Sequence, residues 1–340
     1  MYTDKGYLDF EWIMRDRNPF IFIVGGRGSG KTFGAIQYAL NHQKQFFFMR
    51  RTQIQVDMIR NDAFNPFKVV DESICVSTIA KNLTGIYRGY RGDDDIYHPE
   101  GAPVGYMCAL STISNIRGFD ASDVDMIIYD EFIGESHERP IKAEGQALLN
   151  AYETINRNRE LQGKEPVQLI ALANSNNLAC PVFVELELVT PVEKMINTGN
   201  SVYKNDLRGV SVYMVNSSPV LEAKSNTALY KLSAGSEFSE MALNNKFTAE
   251  EMDHIRSKDL KPYRIICKAG ELAIYKHKDN SDYYITGHVS GSPGSIYKAS
   301  EMDLKRFRRE HYYLWLAYLR GKIWFESYIY KVLFERYFNM

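Results

Sequence analysis

The stretch that decides the fold is Phe20-Ile21-Phe22-Ile23-Val24-Gly25-Gly26-Arg27-Gly28-Ser29-Gly30-Lys31-Thr32. Its five consecutive apolar residues predict a strand buried on both faces. The glycines and the Lys-Thr pair that follow complete a P-loop, because their spacing is G-x-x-x-x-G-K-T. The glycines let backbone N–H groups face an anion, Lys31 brings a cation to the β- and γ-phosphates, and Thr32 offers its hydroxyl to Mg²⁺. We therefore predict that a nucleoside triphosphate binds at Gly25, Gly26, Arg27, Gly28, Ser29, Gly30, Lys31 and Thr32.

A second apolar strand, Met126-Ile127-Ile128-Tyr129, ends in two acids, Asp130 and Glu131. After a P-loop, such a strand is typical of a Walker B motif. Asp130 is then expected to hold Mg²⁺ through water, and Glu131 to orient or deprotonate the attacking water. GTPase-like switches and many P-loop kinases lack the second acid. The pair therefore indicates ATP hydrolysis by an enzyme of the additional-strand (ASCE) class.

Polar residues also follow three other predicted elements. Arg50 and Arg51 end the strand Gln45–Met49, Asn174 follows the strand Val167–Leu172, and Arg157 ends a helix that Pro140 opens. Strands that alternate with helices predict a parallel α/β sheet, in which ligands bind at the carboxyl ends of the strands. Asn174 is thus placed to sense the γ-phosphate. For Arg50 and Arg51, phosphate contact and a surface ion-pair cluster both remain open. For Arg157, a favourable interaction with the helix dipole is the simpler alternative to a role in catalysis.

The composition is that of an ordinary globular protein, with 45% hydrophobic and 24% charged residues. No apolar run approaches the ~20 residues needed to cross a bilayer. The N-terminus lacks the basic and apolar pattern of a signal peptide. We therefore expect no membrane partner and a location in a cytoplasm. The four cysteines are far apart and form no zinc or disulfide pattern, which favours buried thiols.

Charge and turn residues divide the chain. Residues 256–340 hold 16 Lys/Arg and 9 Asp/Glu, a net +7, whereas the rest of the chain carries −8. A local contact with a polyanion and an ordinary solvated face both explain such a segment. Turn-rich stretches then predict an ATPase domain over 1–207, a linker region over 208–245 and a C-terminal domain over 246–340. The predicted elements outside the nucleotide site are a β-hairpin within Ile86–Leu110, a three-stranded meander between Tyr263 and Thr286, and closing helices over Phe307–Gly321 and Ile323–Phe338.

Several motifs together resemble the genome-packaging ATPases of φ29-type tailed phages. They are Gly-Gly-Arg-Gly-Ser-Gly-Lys-Thr (25–32), Phe-Met-Arg-Arg (48–51), Tyr-Asp-Glu-Phe (129–132), Asn-Arg-Asn-Arg-Glu (156–160), Leu-Ala-Asn (172–174) and Glu-Met-Ala-Leu-Asn-Asn-Lys-Phe (240–247). The Walker motifs are shared by very many ATPases, whereas the Arg-Asn-Arg-Glu and Glu-Met-x-Leu-x-Asn runs are much more specific to this family. The likeness covers most of the chain.

The resemblance implies a homopentameric ring at the portal vertex of an empty capsid, which drives double-stranded DNA inward with ATP and Mg²⁺. It also implies contact with the portal and a packaging RNA. Arg157 would be an arginine finger, and Arg117 a second basic residue near a neighbour's nucleotide. The C-terminal domain would be a small α+β counterpart of the RNase H-like nuclease of large terminases, without nuclease activity.

Two other functions remain open at this point. One is a ring translocase of the FtsK or HerA type, and the other is a nucleotide-dependent structural adaptor whose ATP turnover is incidental. Cellular translocases usually carry membrane or extra DNA-reading domains, which this sequence lacks, so the packaging motor is favoured.

Overall fold

The computed structural model describes residues 1–94, 96–116, 118–134, 138, 141–174, 178–215, 218–236, 239, 242–243 and 254–339. The chain divides into two compact units. The first comprises Met1–Leu186 and Lys194–Phe247, and the second comprises Glu187–Glu193 and Thr248–Met340.

A nine-stranded sheet forms the first unit. Its strands are β1 (Phe20–Gly25), β2 (Phe46–Arg50), β3 (Ile74–Ala80), β4 (Leu83–Arg91), β5 (Tyr97–Ala109), β6 (Met126–Asp130), β7 (Gln168–Ala173), β8 (Val202–Asn205) and β9 (Val210–Val215). They lie in the order β3-β4-β5-β2-β6-β7-β1-β9-β8. In this spatial order, the six neighbouring strands β5, β2, β6, β7, β1 and β9 are parallel to one another. Antiparallel strands extend the sheet at both edges: β4 and β3 beyond β5, and β8 beyond β9.

Strand β7 lies between the P-loop strand β1 and the Walker B strand β6. This inserted strand is the feature that gives the additional-strand ATPases their name, so the predicted fold class is confirmed. Because β7 pairs in register with both neighbours, Asn174 emerges between the P-loop and the two Walker B acids.

Helices lie on both faces of this sheet. Up to this point of the chain the helices are α1 (Phe10–Ile13), α2 (Lys31–Asn41), α3 (Gln53–Ile59), α4 (Glu144–Asn156), α5 (Pro181–Glu185), α6 (Val189–Thr198), α7 (Pro219–Ser225) and α8 (Ala228–Leu232), of which α6 begins in the second unit. On one face, Ile21 and Ile23 of β1 share a buried cluster with Ala35 of α2. On the other face, the Phe22 ring lies 5.7 Å from that of Phe183 in α5. Alternating residues of β1 are thus buried on opposite faces, as the apolar run predicts.

The region predicted as a linker differs from the expectation in its first part. Val210–Val215 is β9, which is buried throughout and pairs in parallel with β1. The apolar run Val210-Ser211-Val212-Tyr213-Met214-Val215 completes the sheet beside the P-loop strand, whereas the turn residues around it suggested a boundary. The hairpin prediction is confirmed by β4 and β5, which pair in antiparallel fashion, with β3 as a third strand.

The second unit contains a five-stranded sheet with three helices. The strands are β10 (Tyr263–Ala269), β11 (Leu272–His277), β12 (Tyr283–Thr286), β13 (Ser295–Tyr297) and β14 (Ile323–Phe325), in the order β13-β10-β11-β12-β14. The meander β10-β11-β12 is confirmed. The helices are α9 (Glu301–Glu310), α10 (Tyr312–Leu319) and α11 (Tyr328–Asn339).

The closing helices differ from the prediction in their bounds. The first is broken at His311, whose φ of −122° departs from helical geometry. The second begins only at Tyr328, because Ile323, Trp324 and Phe325 pair in parallel with β12. A run of aromatic residues is compatible with either structure, so periodicity alone could not separate them.

Two simpler expectations concern the cysteines and the membrane. All four cysteines are buried and free, as predicted. Across the described residues, every helix is too short or too polar to cross a bilayer.

Candidate nucleotide-binding site

The P-loop lies between β1, which ends at Gly25, and α2, which begins at Lys31. Gly28 and Gly30 have φ values of +78° and +88°, in the left-handed region that favours glycine. The Ser29 hydroxyl donates a hydrogen bond of 3.0 Å to the carbonyl of Gly26 across the loop. The two glycines with positive φ and this internal hydrogen bond allow the chain to turn from the loop into α2.

Lys31 is buried, with a relative exposure of 8%. Its ammonium donates to the carbonyls of Gly25 (2.7 Å) and Gly26 (2.9 Å) and to Oδ1 of Asn174 (3.2 Å). These three acceptors are neutral. Burial lowers the pKa of Lys31 from its usual 10.5 to about 8, although Asp130 acts in the opposite direction. An anion placed beside this ammonium would be strongly attracted, because the site is desolvated.

Thr32 and Asp130 form the second part of the site. The hydroxyl of Thr32 donates to Oδ1 of Asp130 at 3.0 Å. Asp130 is 3% exposed, and burial raises the pKa of its carboxyl. Its Oδ2 is buried and faces the guanidinium of Arg50 at 3.0 Å. A hydroxyl beside a buried carboxylate suits Mg²⁺, which takes oxygen ligands and keeps several waters. Within the described residues, no group of three or more His, Cys, Asp or Glu side chains is arranged to hold a metal.

Arg50 joins the two Walker B acids. Its guanidinium lies 3.0 Å from Oδ2 of Asp130 and 2.5 Å from Oε2 of Glu131. Glu131 is about half exposed, its φ is +60°, and Gln55 donates to the same Oε2 at 3.4 Å. Arg50 therefore opposes the effect of burial on the pKa of Asp130 and fixes where Glu131 points. Sequence reasoning did not assign this contact, since it depends on β2 lying beside β6.

Arg51 lies in a separate buried network. It donates through Nε and Nη2 to the two carboxylate oxygens of Glu144, at 2.7 and 3.0 Å, and also pairs with Glu138. The Tyr129 hydroxyl donates to Glu144 at 3.1 Å. The Arg51–Glu144 pair is buried and is not part of a surface cluster. Contact of Arg50 or Arg51 with a phosphate stays a prediction.

The side chains predicted for the nucleotide site largely converge on one cleft of about 530 Å³. The residues that line it are Arg27, Gly28, Gly30, Lys31, Thr32, Phe33, Asp130, Glu131, Ala173 and Asn174. Gly25, Gly26 and Ser29 support it from within the loop. Phe33 was not predicted; its ring is 42% exposed at the rim, where an aromatic surface can contact a nucleotide base.

Helix α7 contacts the P-loop from outside the cleft. The Lys224 ammonium donates to the carbonyl of Arg27 at 2.8 Å. A Cβ on Gly28 would lie only 2.4 Å from that nitrogen, and a Cβ on Gly26 would lie 2.4 Å from the carbonyl oxygen of Ala242. Part of the region predicted as a linker therefore supports the nucleotide site. The turn-rich sequence of this region gave no sign of such a role.

Of the two predicted trans-acting arginines, Arg157 is not among the residues that line the cleft. Arg157 follows α4 with a φ of 49°, donates from Nη2 to the carbonyl of Phe119 at 2.5 Å, and lies 3.9 Å from Asp120. Its side chain remains 44% exposed. Arg117 lies outside the described residues. A role for either on a neighbouring subunit's nucleotide stays a prediction.

The chain is similar to known proteins over most of its length. Residues 4–310 match the family described as "Podovirus DNA encapsidation protein (Gp16)". The DNA packaging protein of Bacillus phage phi29 is 27% identical over 291 residues, which cover 83% of this chain and 79% of that protein. The DNA packaging protein of Bacillus phage B103 is 26% identical over 301 residues, covering 84% and 82%.

One solved structure has a similar fold over nearly the whole chain. It is titled "The bacteriophage Phi-29 viral genome packaging motor assembly", and it aligns with a TM-score of 0.69 at 19% identity. The alignment covers 98% of this chain and 99% of that one. At this level of identity, the likeness supports the fold alone.

Proposed function

The chain belongs to the podovirus DNA encapsidation protein (Gp16) family, and on that premise we propose that it is an ATPase that drives double-stranded DNA into a preformed phage capsid. The observation that carries the proposal is the cleft in which the P-loop lysine, the Thr32–Asp130 pair and Glu131 meet. These residue types bind a triphosphate and activate water.

The chemistry of the proposed site follows from the positions of its side chains. Lys31 exchanges its neutral acceptors for phosphate oxygens, and the loop N–H groups bind the same anion. Thr32 and Asp130 would hold Mg²⁺, which when bound neutralises charge on the phosphates. Glu131 accepts a proton from, or orients, the water that attacks the γ-phosphate. Asn174, hydrogen-bonded to Lys31, senses whether that phosphate is present.

We propose further that the motor is a ring, with five subunits as the family resemblance implies, which binds the capsid portal and a packaging RNA at the portal vertex. In such a ring, Arg157 or Arg117 reaches the nucleotide of the neighbouring subunit. The guanidinium of Arg157 supports this proposal, because it is 44% exposed and its contacts among the described residues of its own subunit are one bond to the carbonyl of Phe119 and a 3.9 Å ion pair with the exposed Asp120.

The second unit is proposed to bind a polyanion without cutting it. Strand β10 carries Ile265, Ile266 and Cys267 where an RNase H-like site would begin with an aspartate. The net +7 of residues 256–340 favours electrostatic contact with nucleic acid. Cleavage of duplex DNA in the presence of Mg²⁺ or Mn²⁺ would contradict the first part of this proposal.

One experiment tests the proposed function as a whole. ATP hydrolysis is measured with and without duplex DNA, and the oligomeric mass is determined in the same sample. A packaging motor is expected to form a ring and to hydrolyse ATP faster with DNA. A slow turnover that DNA does not change would instead support the structural adaptor. Translocation into purified procapsids, with an unrelated duplex-bound ring as comparison, separates a packaging motor from a translocase of another kind.

A further inference from the structure

We propose that one end of the sheet in the second unit binds the phosphate backbone of duplex DNA through Arg256 and Lys258, which Trp324 holds in place. This inference rests on the proposed DNA-translocating function and names the surface that contacts the DNA. The starting observation is that two cations lie over a single indole ring. The Lys258 ammonium is 3.7 Å and the Arg256 guanidinium carbon is 4.6 Å from the Trp324 ring centroid.

Among the residues that the structure describes, tyrosine hydroxyls and not carboxylates hold Lys258 beside Arg256. The backbone N–H of Lys258 donates to the Tyr284 hydroxyl at 3.1 Å, and its ammonium lies 3.4 Å from the Tyr263 hydroxyl. Within the described part of the chain, no ion pair joins Arg256 or Lys258 to an acid, although the charge of Asp282 raises the pKa of Lys258. Burial and the charge of Arg256 both lower the pKa of Lys258. A bound anion would remove this repulsion.

Further cations lie at the same end of this sheet, and we call the six together the basic end of the second sheet. They are Arg256, Lys258, Lys261, Arg264, Lys276 and Lys278. Of these, Arg264 and Lys276 belong to the face opposite to Trp324. Arg264 and Lys276 are directly opposite each other on β10 and β11, a like-charge pairing that destabilises a sheet. Lys278 donates to the carbonyl of Lys261 at 2.7 Å, so the two lysines are also neighbours. Residues 256–278 contain seven Lys/Arg against two acids, which accounts for most of the excess charge of the C-terminal segment.

The arrangement favours a duplex over unpaired bases. Single-stranded nucleic acid is usually bound by aromatic rings on which bases stack. Here the indole is occupied by two cations, with the His254 ring against it at 4.6 Å, and Tyr263 and Tyr284 are buried. The surface therefore offers cations but no free stacking platform. This suits the phosphates of a double helix, which are contacted independently of sequence.

The test measures the affinity of the full chain for a fluorescent DNA duplex of random sequence over a range of salt concentrations. The double variant Arg256→Ala/Lys258→Ala is compared with Lys305→Ala/Arg306→Ala. The control removes the same two residue types from the same unit, and it also includes a cation over a ring, because Arg306 lies 4.8 Å from the Tyr297 centroid. In the control, however, both cations have acid partners, Glu301 and Glu310.

We expect the site variant to bind roughly 50-fold more weakly at 0.1 M salt, because two phosphate contacts are lost, and its salt slope to fall by about 2. The control and the charge-preserving exchange Arg256→Lys/Lys258→Arg should bind nearly as the wild type does. ATP hydrolysis without DNA should be unchanged in all variants, since neither pair belongs to the nucleotide site.

Several outcomes would overturn the inference. They are wild-type affinity for the DNA duplex in the site variant, or an equal loss of affinity in the control. A wild-type chain that neither binds duplex DNA nor hydrolyses ATP would overturn the proposed function as well. Wild-type DNA binding that the site variant retains overturns this surface alone.

Discussion

At the scale of single residues, the most informative group is the Lys31 ammonium, which is buried with neutral acceptors. With a pKa of about 8 in the folded protein, it loses its proton above pH 8 unless an anion is bound. We therefore expect ATP affinity to fall as the pH rises from 8 towards 10, and ATP binding in this range to take up as much as one proton. Calorimetry in buffers of different ionisation enthalpy measures that proton uptake.

The matched control is Lys31→Arg, whose guanidinium does not titrate in this range. It should take up no proton at position 31. In the wild type without nucleotide, the free energy of unfolding should rise between pH 8 and 10.5, because the unfolded chain then binds a proton that the folded protein has released. ATP binding that is independent of pH over this interval would contradict the assignment of Lys31 to the phosphates.

Glu131 provides the second prediction at this scale. Glu131→Gln keeps the size of the side chain and removes its basicity, so ATP should still bind while steady-state hydrolysis falls by roughly 10²–10⁴-fold. Glu72→Gln, which alters a carboxylate outside the cleft, serves as the control and should hydrolyse ATP normally. Hydrolysis in Glu131→Gln within a few-fold of the wild type would remove Glu131 from its proposed role.

At the scale of elements, the end of β2 is joined to the start of α4 by the buried pair Arg51–Glu144, whose side chains are 4% and 1% exposed. Glu144→Gln leaves a buried guanidinium without its bidentate partner, which should lower the free energy of unfolding by about 3–5 kcal/mol. Arg88→Ala breaks a much more exposed pair with Asp71 and should cost less than about 1 kcal/mol. Urea denaturation of both variants measures how far each substitution lowers the free energy of unfolding. An equal decrease in the two variants would contradict the larger contribution expected from the buried pair.

The elements also show how far the sequence could predict the molecule. The P-loop, the Walker B strand and Asn174 were predictable because each combines a buried apolar strand with polar residues at its carboxyl end. The contact of Arg50 with Glu131 could not be predicted, because it depends on the order of strands in the sheet. Strand β9 was not predicted because turn residues flank it. Strand β14 was not predicted because its aromatic residues are compatible with helices as well as strands.

At the scale of the whole molecule, the central prediction is that subunits share an active site. Arg157→Ala and Glu131→Gln subunits should each be inactive alone. In mixed rings, some interfaces would combine an intact Glu131 with an intact Arg157, so ATP hydrolysis should partly return. An arginine finger typically contributes ~10³–10⁵ in rate, and the recovered activity should therefore be easily measured.

The mixing experiment requires that both variants bind ATP and assemble together, which native mass measurements can establish. Arg159→Ala is the comparison within the same segment. The Arg159 side chain donates to the carbonyls of Ser122, Val124 and Glu165 in its own subunit. Mixing Arg159→Ala subunits with Glu131→Gln subunits should therefore not raise ATP hydrolysis above that of Arg159→Ala alone. Mixtures with Arg157→Ala that remain inactive would place Arg157 in its own subunit or outside the site, and Arg117 would be examined next.

The backbone of Glu131 and Arg157 has a consequence for natural selection. Both residues have positive φ values, of 60° and 49°, where glycine would be accommodated without strain. Backbone strain of this kind usually costs of order 1–3 kcal/mol and is often found at functional sites. Folding stability and ATP-driven activity should therefore favour different amino acids at these two positions. In a library of variants screened only for stable expression, glycine should become enriched at 131 and 157; in one screened for phage propagation, glutamate and arginine should return.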